Sequence, residues 1–215
     1  MRVFQGVSIV CLAVALAGAQ AQPSAKSYAE LVAQAESGDA ATDYTALRMA
    51  YAASEGYDPY GVETGGSYET IWPAFQKKDC ATVIKASDEM LKVDYTLATI
   101  HVLRSDCLRT NGDKARADRE EAIGRGLVAS LRGSGDGKSP ETAFVIVSMS
   151  EERFMLVGMG LHEEKQSLLN NNGHMYDLIE GKNENADGPG SAFFNVDALF
   201  AGMTRKFQKA GSPTP

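Results

Sequence analysis

Residues 79–113 read DCATVIKASDEMLKVDYTLATIHVLRSDCLRTNGD, and this stretch gives the clearest indication of the fold. Apolar residues recur from Cys80 to Leu91 at intervals of three and four, which predicts an amphipathic helix with Asp79 as its N-cap. Asp94 is predicted to cap a second helix, which ends at Asn111-Gly112. The predicted inner face of that helix consists of Leu97, Ile100, Arg104, Cys107 and Leu108. The stretch therefore predicts an antiparallel pair of helices.

The two cysteines of this predicted pair lie level with each other. Cys80 and Cys107 are each 13 residues from the turn at Val93–Asp94. At a rise of ~1.5 Å per residue, both lie about 20 Å from that turn. A disulfide there would stabilise the fold by about 3 kcal/mol, because it lowers the conformational entropy of the unfolded chain. Two buried free thiols are the alternative. The chain has three cysteines, of which Cys11 lies in the predicted signal peptide described below. The two that remain after cleavage are an even count in an exported protein, which favours the disulfide between Cys80 and Cys107.

A third helix is predicted to begin at Asp113 and to run to Leu131. Asp113 follows Asp79 by 34 residues, which is the period of tetratricopeptide repeats. The Trp, Leu, Gly and Tyr signature of those repeats is mostly absent. We therefore predict tetratricopeptide-like stacking of helices without a true repeat array.

The region upstream is also predicted to be helical. Ser27 and Glu30 form a capping box for a first helix, and apolar spacing over 43–54 predicts a second. The helix that holds Trp72 is predicted to be short or to begin at Pro73, because proline is favoured in the first helical turn.

The last third of the chain has mixed patterning. An apolar, β-branched run over 143–148 predicts a buried strand, and Ser148 with Glu151 predicts a capping box for a helix over 150–160. Residues 165–169 fit either a strand or a helix. The other predicted elements are a β-hairpin formed by 174–180 and 192–196, and a last helix over 197–209.

The predicted fold class is α+β and mainly helical, with tetratricopeptide-like antiparallel helix hairpins followed by a small antiparallel sheet with flanking helices. We predict four segments along the chain: a signal peptide (1–21), a helical part (22–138), a small α+β part (139–209) that forms one compact unit with it, and a disordered tail (210–215).

The first twenty-one residues have the layout of a secretory signal peptide. Arg2 precedes an apolar run from Val7 to Ala17, and small residues then offer cleavage sites at 17–19 and 19–21. We expect an exported, periplasmic protein with no integral membrane segment after cleavage. The formal net charge of −7 argues against nucleic acid as a partner, because nucleic-acid binders present a positive surface.

Two loops superficially resemble ligand-binding motifs. Gly133–Ser139 lacks the spacing of a phosphate-binding loop and follows a helix instead of a strand. The segment that begins at Asn183 resembles half of a calcium loop, but Phe194 stands where a bidentate glutamate is required. The histidines, His101, His162 and His174, are not at metal-ligand spacing. We predict no metal site and no cofactor.

Four residues are candidates for acid–base catalysis: Glu151, Glu152, His174 and Asp177. The two glutamates fall in the first turn of a predicted helix, where negative charge also favours the helix dipole. His174 and Asp177 are three residues apart, which places them on opposite faces of a strand. No nucleophile motif surrounds any serine. The sequence therefore contains no motif that predicts enzyme activity.

Five residues in the first third are candidates for binding a partner: Arg48, Tyr51, Tyr57, Tyr60 and Trp72. Exposed aromatic side chains beside helices can form a recognition groove. The alternative is that these aromatic side chains pack in the core and between helices.

A set of short motifs resembles one known family. The set comprises Leu47-Arg48-x-x-Tyr51-x-x-Ser54-x-x-Tyr57-x-Pro59-Tyr60, the stretch Ser130–Val147, Glu151-Glu152, Gln166, Gly173-His174-x-Tyr176-Asp177 and Phe193–Asp197. Over residues 27–200 the chain resembles the Domain of unknown function 4919 family of exported bacterial proteins. That resemblance implies export and a compact helical-plus-sheet unit, and it supplies no catalytic residues. The two cysteines are not part of its pattern.

The function predicted from the sequence is a non-catalytic module of the cell envelope that binds or scaffolds a protein or peptide. Two alternatives remain: a hydrolase of envelope material that uses the four candidates above, and a small-ligand carrier that uses a cleft between the helical and sheet parts.

Overall fold

The structure is a computed structural model that describes residues 26–61, 66–186 and 188–211. The predicted signal peptide and the last four residues lie outside these ranges. The helices are α1 (Tyr28–Ser37), α2 (Tyr44–Ala53), α3 (Gly66–Gln76), α4 (Cys80–Val93), α5 (Ala98–Thr110), α6 (Lys114–Arg132), α7 (Met149–Met159) and α8 (Asp197–Gly211). The strands are β1 (Phe144–Val145), β2 (Leu161–Asn171), β3 (His174–Asn183) and β4 (Gly188–Asn195). The α+β, mainly helical class is confirmed.

The predicted helix pair at the centre of the helical part is confirmed. Asp79 caps α4 by accepting a hydrogen bond from the backbone N–H of Thr82 at 3.1 Å, and Asp113 caps α6 in the same way. Cys80 and Cys107 form a disulfide, with their Cα atoms 5.0 Å apart. The capping box of Ser27 and Glu30 is also present at the start of α1.

The prediction of Asp94 as the cap of α5 is wrong. Of the two alternatives for the helix that holds Trp72, the start at Pro73 is also wrong. Asp94 does not cap α5, because its carboxylate accepts hydrogen bonds from the backbone N–H and the hydroxyl of Thr96 within the α4–α5 turn. Leu97 is the N-cap of α5 and makes no side-chain cap. Trp72 lies in the middle of α3, which continues through Pro73. Packing against α4 therefore outweighs the hydrogen bond that proline cannot donate.

The four strands form one sheet in the order β1-β4-β3-β2. The β2–β3 and β3–β4 pairs are antiparallel, but β1 pairs with β4 in parallel. The sheet is therefore mixed, and the prediction of an antiparallel sheet is corrected at one edge. Because α7 and the β2–β3 hairpin lie between β1 and β4 in the chain, β1 can join the sheet without a tight turn.

The hydrophobic core has two main clusters and a small third one. The first lies among the six helices α1 to α6 of the helical part and includes Leu47, Ile71 and Val83. The second lies between the sheet, α7 and α8 and includes Ile146, Ile179 and Phe194, with Leu131 contributed by α6. The third joins Tyr51, Ala52, Tyr57 and Val147, which brings the helical part into contact with the segment before α7.

The C-terminal boundary also differs from the prediction. Helix α8 continues to Gly211, so the first two residues of the predicted disordered tail are helical, and the others lie outside the described residues. Across the described ranges, no helix is both long and apolar enough to cross a bilayer.

Candidate functional site

A cleft of about 300 Å³ opens between α3, α5, α6 and α7. It lies where the helical part meets α7, and its lining is almost wholly apolar. Its main lining residues are Trp72, Leu97, Ile100, Leu127, Phe154 and Val157. Ligand pockets in proteins typically measure ~300–1,000 Å³ and are mostly apolar, so this cleft has the character of a small binding site.

The rim of the cleft carries exposed apolar side chains. Val157 on α7 is 76% exposed, and Trp72 on α3 is 39% exposed. Arg153 on α7 donates a hydrogen bond at 3.3 Å to the Tyr68 hydroxyl on α3, which joins two of the helices that form the rim. Apolar surface therefore continues from the cavity to the outside of the molecule.

A buried ion pair borders the inner side of the cleft. Arg48 on α2 binds Glu151 on α7 in a bidentate arrangement, with Nε–Oε1 and Nη2–Oε2 distances of 2.6 and 2.8 Å. Arg48 also donates to the Val145 carbonyl and to the Ser130 hydroxyl. Glu151 accepts a further hydrogen bond from the backbone N–H of Val147. The charge pair is thus saturated with partners, as a buried pair must be to persist.

This pair explains why the predicted capping box of α7 is only half made. Ser148 caps α7 by accepting from the backbone N–H of Glu151 at 3.4 Å. The Glu151 carboxylate does not complete the box because it binds Arg48 and the Val147 N–H. Glu151 lines the cleft, but its carboxylate is committed to the junction between the two parts.

The candidate binding residues separate into buried and exposed groups. Arg48, Tyr51 and Tyr57 are buried; the Tyr57 hydroxyl donates to the Val147 carbonyl at 2.7 Å, and the Tyr51 hydroxyl donates to the Asp58 carbonyl. Tyr60 and Trp72 are exposed, and of these two Trp72 lines the cleft. Trp72 is therefore the candidate binding residue at this cleft. Arg48, Tyr51 and Tyr57 are buried at the junction between the helical part and the sheet part.

Three of the four catalytic candidates, Glu151, His174 and Asp177, bond to residues outside their own group. His174 pairs through Nδ1 with Asp197 at 2.6 Å, and Asp177 accepts a hydrogen bond from Gln166 at 2.9 Å. Burial raises the pKa of the Asp177 carboxyl, and the hydrogen bond from Gln166 acts in the opposite direction. Glu152 is buried on α7. Of the four candidates, Glu151 lines the cleft and the other three do not.

The two loops that resemble ligand-binding motifs hold themselves together by internal bonds. In the Gly-rich segment, the Asp136 carboxylate accepts from Lys138 and Thr142. Next to β3, the Asn183 side-chain oxygen accepts from the Asn185 backbone N–H. Among the described residues, no three His, Cys, Asp or Glu side chains lie close enough together to hold a metal ion.

A second groove lies along α1 and α2. It measures about 970 Å³ and is lined by small residues such as Ala29, Ala46 and Ala50, with Met49 half-exposed at its edge. This groove is wide and open to solvent. The cleft beside α7 is the stronger candidate because it is narrower and more apolar and has aromatic walls.

Sequence reasoning identified Glu151 as a candidate but missed the apolar residues that α7 and α5 contribute to the cleft. A usable signal was present, because Phe154–Val157 are four consecutive apolar residues in one helix. A helix that is apolar around most of its circumference and lies at the surface leaves part of that apolar face uncovered. Val157 is the residue left exposed.

Comparison with known proteins gives one family and no individual relatives. Neither the curated proteins nor the solved structures include a match to this chain. A family model described as "Domain of unknown function (DUF4919)" matches residues 19–205. Because this match spans most of the chain, the protein belongs to the DUF4919 family.

Proposed function

We propose that this protein is a non-catalytic binding module of the cell envelope, and that its cleft receives an apolar side chain from a protein or peptide partner. The observation that carries this proposal is the solvent-open apolar cleft beside Trp72 and Val157. A continuous apolar patch that remains exposed on a soluble protein is a typical sign of an interaction site.

Two features favour a protein segment over a small molecule. The cavity volume of about 300 Å³ lies at the lower end for ligand pockets. The exposed apolar surface also extends beyond the cavity onto α3 and α7, because Trp72 and Val157 both reach solvent. A segment that lies across the opening and inserts one anchor side chain would cover both, as anchor residues do in protein interfaces.

Location in the envelope is supported by the N-terminal pattern of the sequence and by the disulfide of Cys80 and Cys107. Disulfides persist in oxidising compartments such as the periplasm and are rare in the cytosol. An acidic chain with exposed apolar side chains at a cleft is compatible with protein recognition and does not favour nucleic acid.

Trp72 provides a direct probe of this site, because it is the only tryptophan of the chain. Peptides selected from a displayed random library should change the Trp72 emission on binding. The substitution Val157→Asp should raise their dissociation constants at least tenfold, since an anchor contact is worth about 2 kcal/mol or more. Val157 is exposed, so this variant keeps its fold.

The matched control is Val102→Asp, which places the same charge at an exposed valine of α5 outside the cleft. Peptides that bind this control as well as the unmodified protein, and that lose affinity for Val157→Asp, support the proposal. Selected peptides that bind both variants equally would place the interaction elsewhere and overturn it.

A small-ligand carrier is the second candidate, because the cavity walls are almost wholly apolar. Octanoate and dodecanoate test it: saturable changes in Trp72 emission with either, together with no peptide binders, would favour the carrier. The envelope hydrolase has no comparable support, since His174 and Asp177 bond to other residues and do not line the cleft.

A further inference from the structure

Strand β2 presents a long free edge. It is the last strand of the order β1-β4-β3-β2 and has 11 residues, whereas β1 at the opposite edge has two. Within the described parts of the chain, no backbone hydrogen bond joins the outer side of β2 to another segment. An unpaired edge of this length is a template for pairing with another strand.

The two halves of this edge differ in how well they are protected against pairing with another strand. The first half contains His162, Glu163, Glu164 and Lys165, and the pairing with β3 is interrupted by a bulge at Glu164. Charges and bulges are common devices against edge-to-edge association. The second half, 166–171, reads QSLLNN and carries no charge, and Leu168 within it is 51% exposed.

The register of the hairpin shows which backbone groups face outward. Asn172 and Gly173 form a two-residue turn with positive φ angles of 52° and 85°, and Asn171 pairs with His174. In such a hairpin the pair that flanks the turn is hydrogen-bonded, and bonded pairs then alternate along the strand. The backbone groups of Gln166, Leu168 and Asn170 therefore point away from β3.

We propose that this edge is a homodimer interface, in which β2 pairs antiparallel with β2 of a second copy and Leu168 lies opposite its counterpart. Gln166 then faces Asn170 of the second copy, and Ser167 faces Leu169. The interface is isologous, as expected for a two-fold dimer, and it joins the two four-stranded sheets into one.

Self-complementarity identifies a second copy as the occupant. With Leu168 on the two-fold axis, all three residues whose backbone groups point outward are paired, Leu168 with its counterpart and Gln166 with Asn170 on each side of the axis. If the register between the two copies of β2 shifts by two residues in either direction, only two of these three residues pair with one another. No like charges are opposed, because Lys165 faces Asn171 and the two glutamates lie outside the paired segment. Opposed like charges would destabilise a cross-strand pair.

This interface is separate from the cleft. No residue of β2 lines the cleft, so the two surfaces can be occupied together. The dimer proposal does not depend on the proposed function, and either can fail alone.

The oligomeric state of the full chain tests the proposal. Sedimentation equilibrium over micromolar concentrations should give a dimer, and Leu168→Lys should raise its dissociation constant at least tenfold, because it opposes two like charges on the axis. Val102→Lys, the same change on exposed α5 surface, should leave the dimer intact. A monomeric unmodified protein, or a dimer that tolerates Leu168→Lys, would overturn the proposal.

Cysteine crosslinking tests the register. In a Cys11→Ser background, Leu168→Cys should form an intermolecular disulfide, because opposed Cα atoms in a bonded antiparallel pair are ~5.5 Å apart. Gln166→Cys should not, because the two copies of that residue would be about 13 Å apart. Equal crosslinking of both variants would contradict the register.

Discussion

The helical part and the sheet part of this molecule are stabilised in different ways. In the helical part, consecutive helices pack against each other and a disulfide ties α4 to α5. In the sheet part, β1 pairs with a strand about fifty residues later in the chain, and the core takes Leu131 from α6. The helical part therefore depends mainly on neighbours in sequence, whereas the sheet part adds a strand and a core residue from distant segments to its two hairpins.

The junction between the two parts is polar at its centre. Arg48 from α2 reaches Glu151 on α7, 103 residues later, and the Tyr57 hydroxyl bonds to the Val147 carbonyl. A few polar contacts with complete sets of hydrogen-bond partners therefore join two apolar cores. The cleft lies beside this junction, so its shape depends on the same contacts.

The largest expected effect comes from breaking the junction. Arg48→Ala leaves the Glu151 carboxylate buried without its cation, which costs ~3–5 kcal/mol of stability. Urea unfolding monitored by circular dichroism measures this loss. If the two parts are held together by this pair, the sheet part should also lose protection in hydrogen exchange.

The control is Arg109→Ala, which removes two partly exposed ion pairs between α5 and α6, with Asp118 and Glu121, and should change the midpoint little. Replacing both buried partners, as in Arg48→Met with Glu151→Leu, should recover part of the stability, since no charge is then left unpaired. Equal stability of Arg48→Ala and Arg109→Ala would show that the junction is not held by this pair.

The second largest effect concerns the helical part. Removal of the disulfide by Cys80→Ala with Cys107→Ala frees a loop with a sequence separation of 27 and should cost about 3–4 kcal/mol. Hydrogen exchange should accelerate more in α4 and α5 than in β3 and β4. Uniform acceleration across both parts would contradict the separation between them.

The third effect depends on pH. Burial raises the pKa of Asp94 to about 7, against the hydrogen bonds from Thr96. Between about pH 4 and pH 7 the folded chain holds a proton that the unfolded chain has lost, so Asp94 makes stability fall as pH rises through that window. Asp94→Asn should flatten this slope and stabilise the protein at pH 8 by more than about 1 kcal/mol.

The measurement for Asp94→Asn is the free energy of unfolding at pH 5 and at pH 8. The asparagine side-chain oxygen can still accept from Thr96, so the α4–α5 turn keeps its hydrogen bonds. If the change in the free energy of unfolding between pH 5 and pH 8 is the same for Asp94→Asn as for the unmodified protein, Asp94 is charged in the folded protein.

The smallest effect concerns the sheet part. Gly173 has a φ of +85° and open space around it, so Gly173→Ala should cost ~1–2 kcal/mol from backbone strain alone. Gly56→Ala is the control, because its surroundings are equally open and its φ is not positive. Thermal unfolding of the two variants compares them; similar midpoints would exclude strain at the β2–β3 turn.

The sequence predicted the helices better than the strands, for a physical reason. Helix signals are local: Asp79, Asp113 and Ser27 cap their helices through bonds three residues away. The β2–β3 hairpin also had a local signal, Asn172-Gly173, which was missed although it is typical of two-residue turns. The parallel pairing of β1 with β4 had none, because it is made between distant segments.

The candidate site shows the same division. Trp72 was identified from its residue type, but the walls contributed by Ile100, Leu127 and Phe154 depend on how three helices meet. Arg48, Tyr51 and Tyr57 were predicted as binding residues and are buried in the structure, because no local pattern distinguishes a buried junction residue from a binding residue.

Local and family-wide sequence patterns are enough to predict the mainly helical class, the helix pair with its disulfide and the family. The class and the helix pair follow from periodicity, capping and spacing within about thirty residues of chain, whereas the family follows from a match over residues 19–205. Long-range packing alone sets the Arg48–Glu151 pair, the mixed sheet, the free edge of β2 and the cleft. Each of these brings together or leaves open surfaces from distant segments, and their meeting is set by packing of the whole chain.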